Sequence, residues 1–180
     1  MPSPVAHTAI AYVIWRVFAL KAPARLCRHP LPIPLLLLAT STLSLLPDLP
    51  SIAGVLTGQF GRYHNSWEHS LIIGVLVAVF CGAVASLPSY RRSLRWFLIA
   101  LLCYESHVLM DYATIGRGVM LFWPFSDERL AAPVRIFFGL HWSDGWLTWK
   151  HLVTLITEMA FAGLVIYVSH RWLRRQEPPA

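Results

Sequence analysis

The sequence predicts an all-α protein: a polytopic transmembrane helix bundle of about five membrane segments, N-terminus outside and C-terminus inside. Three observations lead there. Hydrophobic residues make up 56% of the 180 and charged ones only 13%, about half the charged share of a soluble domain. Mean hydropathy is +0.54, so the average residue prefers an apolar medium to water. The basic residues behind the net charge of +6 sit in short clusters beside apolar runs. That is the pattern of membrane topology, and no direct nucleic-acid binding is expected from it. The length suits a single domain, 1–180. Cys27, Cys81 and Cys103 are scattered and form no C-x-x-C, so they read as small buried hydrophobes. No cleavable signal peptide is expected, because Arg16 and Lys21 follow the first apolar stretch instead of preceding it.

The first apolar segment runs from His7 to Leu20, with Arg16 near its inner end. The second is Leu31 to Leu46, the third Leu71 to Leu87, the fourth Leu94 to Ala113 and the fifth His151 to Trp172. Several are shorter than the roughly 20 residues of a full span, which local thinning and snorkelling of Arg16 accommodate. Direction comes from Lys and Arg. Lys21, Arg25, Arg28, Arg91, Arg92, Arg95, Arg171, Arg174 and Arg175 fall on one side under strict alternation, nine of the fifteen basic residues. Arg62, Arg117, Arg129, Arg135 and Lys150 fall on the other, mixed with Asp127, Glu128 and Asp144. The first side is therefore inside.

The candidate chemistry centres on His107 and Asp111. At i and i+4 their side chains project from one face of a helix. A neutral imidazole beside a carboxylate is a chelating pair for zinc or another divalent metal. The plainer alternative is a buried histidine paired with a helix-end aspartate, but ionisable residues in a membrane helix point to function. Alternation sends His7, Asp48, His64, His69, His107 and Asp111, from four helix ends, to the same outer face. Asp48 in LLPDLP also reads as a turn residue. His64 and Glu68 are the candidate general acid–base groups, and Asn65-x-x-Glu68 also reads as a capping box for the third helix. Arg117 and Arg129 flank GVMLFWPFSDE and are candidates to clamp a phosphate, either as substrate contacts or as solvated loop residues. Glu105 lies about 200° around the helix from His107, so it is expected to face away, with Arg16 as partner. Glu158 needs a partner too. His141, Asp144, Trp142, Trp146 and Trp149 form an outer aromatic loop, read as an interface belt or a lid.

These residues resemble a known family, the predicted membrane-bound metal-dependent hydrolases, described as LexA-binding and inner-membrane-associated. The likeness rests on His7 in SPVAHTAIAY, Pro47-Asp48, His64 and His69 in HNSWEHSL, and HVLMDYATIGRGVMLFWPFSDER, and covers roughly residues 1–130. The chain departs from that pattern at Pro50, where the family often has a second acid, and at Glu68, where it usually has threonine. A more distant likeness is to the zinc-dependent phospholipases C and single-strand nucleases. His7, Asp48, His69, His107 and Asp111 reproduce their order of metal ligands. That likeness implies one or two divalent ions, with Asp111 bridging, Asp48, His69 and His107 on one ion and His7 on the other. Their later His plus H-x-x-x-E set is not matched, since His141 and His151 are followed by Leu155.

The resemblance implies a multi-pass protein of the bacterial inner membrane, surrounded by membrane lipids. It would use metal-activated water on a phosphoester of a lipid or lipid-linked substrate at the outer membrane–water interface. The alternative class is a non-catalytic membrane protein with a structural or regulatory metal cluster.

Overall fold

Proline sets the main break in the helical pattern. In the computed structural model, helix α1 (Pro4–Lys21) is followed by α2 (Ile33–Leu45). Helix α2 stops where Pro47 and Pro50, lacking N–H groups, cannot continue the i→i−4 ladder. A 3-10 turn, Leu46–Asp48, restarts the chain as the short helix α3 (Leu49–Leu56). Then come α4 (Leu71–Ser86), α5 (Tyr90–Tyr112) and α6 (Trp149–Arg174). The structure describes residues 2–21, 33–59, 63–87, 90–140 and 148–175. Among these there is no strand; residues 113–140 form an irregular loop with two isolated bridges, Thr114 with Phe137 and Val119 with Leu130.

A helix stands at each of the five expected segments. Three stretches are long and apolar enough to cross a membrane: Pro34–Leu56 (23 residues), Ser93–Tyr112 (20 residues) and Trp149–Arg174 (26 residues). Leu71–Ser86 is apolar but shorter. The second segment corrects the sequence reading, which ended it at Leu46. The apolar stretch continues through the turn to Leu56, so Asp48 sits at a break inside it and not at its end.

The bundle is built for lipid. Helix α4 exposes Val75, Leu76, Val79 and Phe80, and α6 exposes Leu152, Ile156, Met159 and Leu164. Between helices, where lipid removes most of the hydrophobic gain, close approach of small residues supplies the packing. Gly74, Ala78 and Gly82 form the buried face of α4. A Cβ at Gly74 would collide with the Glu105 side chain of α5, and one at Gly82 would sit 3.1 Å from the Ser93 carbonyl. Helix α1 packs on α2, α5 and α6.

Two acids in the apolar segments find opposite fates. Both oxygens of Glu158 accept from Ser3 N, at 2.9 and 2.8 Å, and one also accepts from Ser3 Oγ. A carboxylate of α6 thus meets the donor-rich start of α1, where negative charge is favoured. Glu105 has no hydrogen-bond partner at either oxygen. The expected Arg16–Glu105 pair does not form; Arg16 turns instead to Tyr12 and His170.

Candidate metal centre

The site is assembled by four pieces of chain. Helix α1 brings His7, the 3-10 turn Asp48, the segment 63–70 His64 and His69, and the last turns of α5 His107 and Asp111. The proline break matters here. Because α2 ends at Leu45, the Ser44 carbonyl lacks a helical donor, and His107 Nδ1 donates to it at 2.7 Å. That bond assigns the neutral ring as the Nδ1–H tautomer, leaving the Nε2 lone pair facing the cluster. Ser44 Oγ also donates to the His7 carbonyl at 3.1 Å.

The 63–70 segment is held in a non-regular shape. Asn65 has φ +53, a left-handed conformation that asparagine tolerates. Arg117 and Arg129 donate to the carbonyls of His64 and Asn65. Tyr104 donates to the Glu68 carbonyl at 2.6 Å. The capping-box reading of Asn65-x-x-Glu68 is corrected: the helix starts at Leu71, and its cap is Ser70, which accepts from Ile73 N at 3.3 Å. The Glu68 carboxylate accepts from Ser66 N at 2.8 Å and lies 3.4 Å from His69 Nδ1.

Asp48, His69, His107 and Asp111 each present a donor atom, and all four lie within 4.8 Å of one another. Asp111 Oδ2 is 3.0 Å from His69 Nε2 and 3.8 Å from His107 Nε2. Asp48 Oδ1 is 3.6 Å from each of the same two nitrogens. The nitrogens are 3.2 Å apart. A tetrahedral ion with bonds of about 2.1 Å separates its ligand atoms by about 3.4 Å, and these five distances straddle that value. Asp48 Oδ1 and both Asp111 oxygens are buried, and the nearest donor to any of them is His69 Nε2, 3.0 Å from Asp111 Oδ2. Buried acceptors turned on one another are costly unless a cation lies between them. The donor set therefore fits a divalent metal.

Two other histidines flank this group. His7 stacks on His107, with ring centroids 3.8 Å apart, and its Nε2 is 3.8 Å from Asp111 Oδ1. Neither His7 nitrogen is hydrogen-bonded. His64 Nδ1 is 3.4 Å from Asp48 Oδ1 and 3.0 Å from Ser51 Oγ. The side chains of His7, His69, His107 and Asp111 are fully enclosed, while that of Asp48 is 15% exposed. Access to the cluster is thus past Asp48 and His64.

Electrostatics agree with a cation site. Burial alone would lower the His69 imidazole, but Asp111, Asp48 and Glu68 together hold it well above its usual value. At His64 burial wins and pushes the ring down, only partly offset by Asp48. Burial lowers Arg117 and Arg129 too, Arg117 further through Arg129, while Glu68 opposes both shifts.

Of the residues singled out in the sequence, the structure gathers His7, Asp48, His64, His69, His107 and Asp111. Arg117, Arg129 and Glu68 hold the loop beside them. His141, Trp142, Asp144 and Trp146 lie outside the described residues; Trp149 opens α6 and is exposed. Sequence reasoning missed Ser44, Ser51 and Tyr104. The prolines at 47 and 50 were the available signal for Ser44.

Fold and site define a helical membrane protein with a buried two-histidine, two-aspartate cluster able to hold a metal ion. The chain belongs to the YdjM inner membrane protein family, which it matches over residues 1–177. That match continues well past residue 130, where the sequence likeness stopped. The chain is also similar to the inner membrane protein YbcI of Escherichia coli (strain K12): 32% identical over 143 residues, covering 76% of this chain and 75% of that protein. No solved structure matches. The chain is an inner-membrane protein.

Proposed function

We propose that this protein is a metal-dependent hydrolase acting on a phosphoester of a lipid or lipid-linked substrate at the outer membrane–water interface. What supports it is the convergence of four donor atoms at tetrahedral spacing, from three separate pieces of chain, with Asp48 partly exposed at one edge. Asp48, His69, His107 and Asp111 would hold the ion, most simply zinc, and His7 beside Asp111 Oδ1 would start a second position bridged by Asp111. Such an ion supplies an activated water and polarises the ester. His64 stands beside Asp48 at the partly exposed edge, bonded to Ser51, and its neutral ring is the group to accept a proton from the attacking water. Glu68 is better read as orienting His69 than as the general base, because it faces His69 Nδ1, behind the ring. Arg117 and Arg129 each spend a donor on the loop, and their remaining donors suit an oxyanion arriving beside His64.

One observation favours the second reading, a structural or regulatory metal site. Four protein donors already complete a tetrahedron, and structural zinc sites are closed whereas catalytic ones keep a position for water. Purified protein in detergent decides between them. Metal analysis, the absorption spectrum of the cobalt-loaded form and hydrolysis of bis(p-nitrophenyl) phosphate and a phospholipid would be measured. Five-coordinate cobalt with turnover supports the hydrolase; saturated four-coordinate cobalt without turnover supports the closed site; no metal removes both.

Sidedness has a separate test. In a cysteine-free background, single cysteines at Gly61 and Ser126 should label with an impermeant thiol reagent in intact cells, and ones at Ser89 and Glu177 should not. The reverse pattern moves the centre to the cytoplasmic face and changes its substrate pool.

A further inference from the structure

The end of the bundle opposite the metal centre carries a second polar cluster, with the reverse electrostatics. Tyr12 and Arg16, one turn apart on α1, meet His170 of α6. Tyr12 Oη is 3.0 Å from His170 Nε2, Arg16 Nη1 contacts both ring nitrogens of His170, closest to Nε2 and 2.9 Å from Nδ1, and Arg16 donates to Tyr12 Oη at 3.3 Å. Arg174 follows His170 by one turn on the same face of α6. The start of α5 joins the same end, because Arg95 donates to the Phe18 carbonyl of α1.

Among the described residues, no carboxylate pairs with Arg16 or His170. An imidazole that accepts from a guanidinium is neutral, and Arg16 Nε is buried without an acceptor. Among the described residues, every carboxylate ion pair lies at the metal end. The sequence makes the imbalance general. Of nine Asp and Glu, only Glu177 belongs to this end, against Arg16 and the nine basic residues assigned to the inner side. An arginine more than a turn inside an apolar helix is expensive unless it meets an anion or reaches the headgroups.

We propose that Tyr12, Arg16, His170 and Arg174 bind the phosphate of an anionic phospholipid from the leaflet at this end of the bundle. Guanidinium groups pair with phosphate oxygens through a planar fork. Tyr12 and His170 hold that of Arg16 in place. Arg174, exposed on the last turn of α6, closes on the phosphate from the lipid side. Exposed Leu164, Tyr167 and Val168 on α6 offer the tails an apolar wall, and Arg171 lies over the Tyr167 ring at 6.0 Å. The excess positive charge selects a net-anionic headgroup, since the cation of a zwitterionic one would face the same arginines. None of this depends on the metal centre.

The test is native mass spectrometry of the full-length detergent-purified protein with equimolar phosphatidylglycerol and phosphatidylcholine. Wild type should retain phosphatidylglycerol preferentially. The preference should fall about fivefold for each of Arg16→Gln and Arg174→Gln. Arg135→Gln, at the other end, should leave it unchanged, and bound metal should be the same throughout. Arg174→Gln changes an exposed last-turn residue, so it carries the test if Arg16→Gln does not fold. Equal retention of the two lipids by wild type, or a preference that survives the Arg174→Gln substitution, overturns the proposal.

Discussion

Asp111 and Glu105 lie on one helix, α5, about 9 Å apart along its axis and about 240° apart around it. Asp111 meets His69, His107 and His7, each through a nitrogen within 3.8 Å. Glu105 meets the backbone of Gly74, and neither of its oxygens has a hydrogen-bond partner. Both are carboxylates on one apolar helix, so the kind of group does not separate them. Azimuth does. The face of α5 turned to α1, α2 and the 63–70 segment gathers ligands, while the face turned to α4 is closed by small residues. The first arrangement could hold a metal ion; the second needs room, and Gly74 provides it.

The comparison can be broken most decisively at Asp111. Asp111→Asn keeps the size of the side chain but removes its charge, so metal affinity should fall more than about 100-fold. Asp48→Asn and His69→Ala should do the same, and Glu105→Gln should keep wild-type metal content by elemental analysis. Matched membrane expression comes first, because removing a buried charge can unfold the bundle. Wild-type metal in Asp111→Asn would end the site hypothesis.

Glu68→Gln probes the support behind the ligands. If its carboxylate orients His69, affinity should drop about 10- to 100-fold with stoichiometry preserved. An unchanged metal titration would return Glu68 to a purely structural role in the loop. On the other face, Gly74→Ala should destabilise the solubilised protein by about 1–3 kcal/mol, because the added methyl meets Glu105. Combining it with Glu105→Ala should recover part of that loss. Strict additivity of the two melting shifts would mean that the side chains do not touch.

The smallest effect belongs to the residue between the two faces. Tyr104→Phe removes a bond to the Glu68 carbonyl, which should cost about 1 kcal/mol. Bound metal should stay within a few-fold of wild type. A loss as large as that of Asp111→Asn would show that the loop shape, and not the ligands themselves, controls the site.

Much of this was readable in the chain. Apolar segments broken by basic clusters specify helices in a membrane, because only a helix satisfies its own backbone in lipid. The i, i+4 spacing of His107 and Asp111 placed both on one face, and alternation of the segments sent the other candidates to the same end. Those inferences need only periodicity and direction.

The tertiary structure decided what periodicity leaves free, the rotation of each helix about its axis and the path of the chain at its breaks. Rotation turned His107 and Asp111 of α5 and His7 of α1 to one point, and the breaks in the chain brought Asp48, His64 and His69 there. Rotation also turned Arg16 to His170 and left Glu105 on Gly74. The break at Pro47 and Pro50 placed Asp48 inside an apolar stretch and released the Ser44 carbonyl to orient His107. The left-handed Asn65 and the Ser70 cap moved Glu68 from helix start to histidine support. The bond from His107 to Ser44 joins residues far apart in sequence through a backbone carbonyl that every residue carries, so no spacing of residue types encodes it.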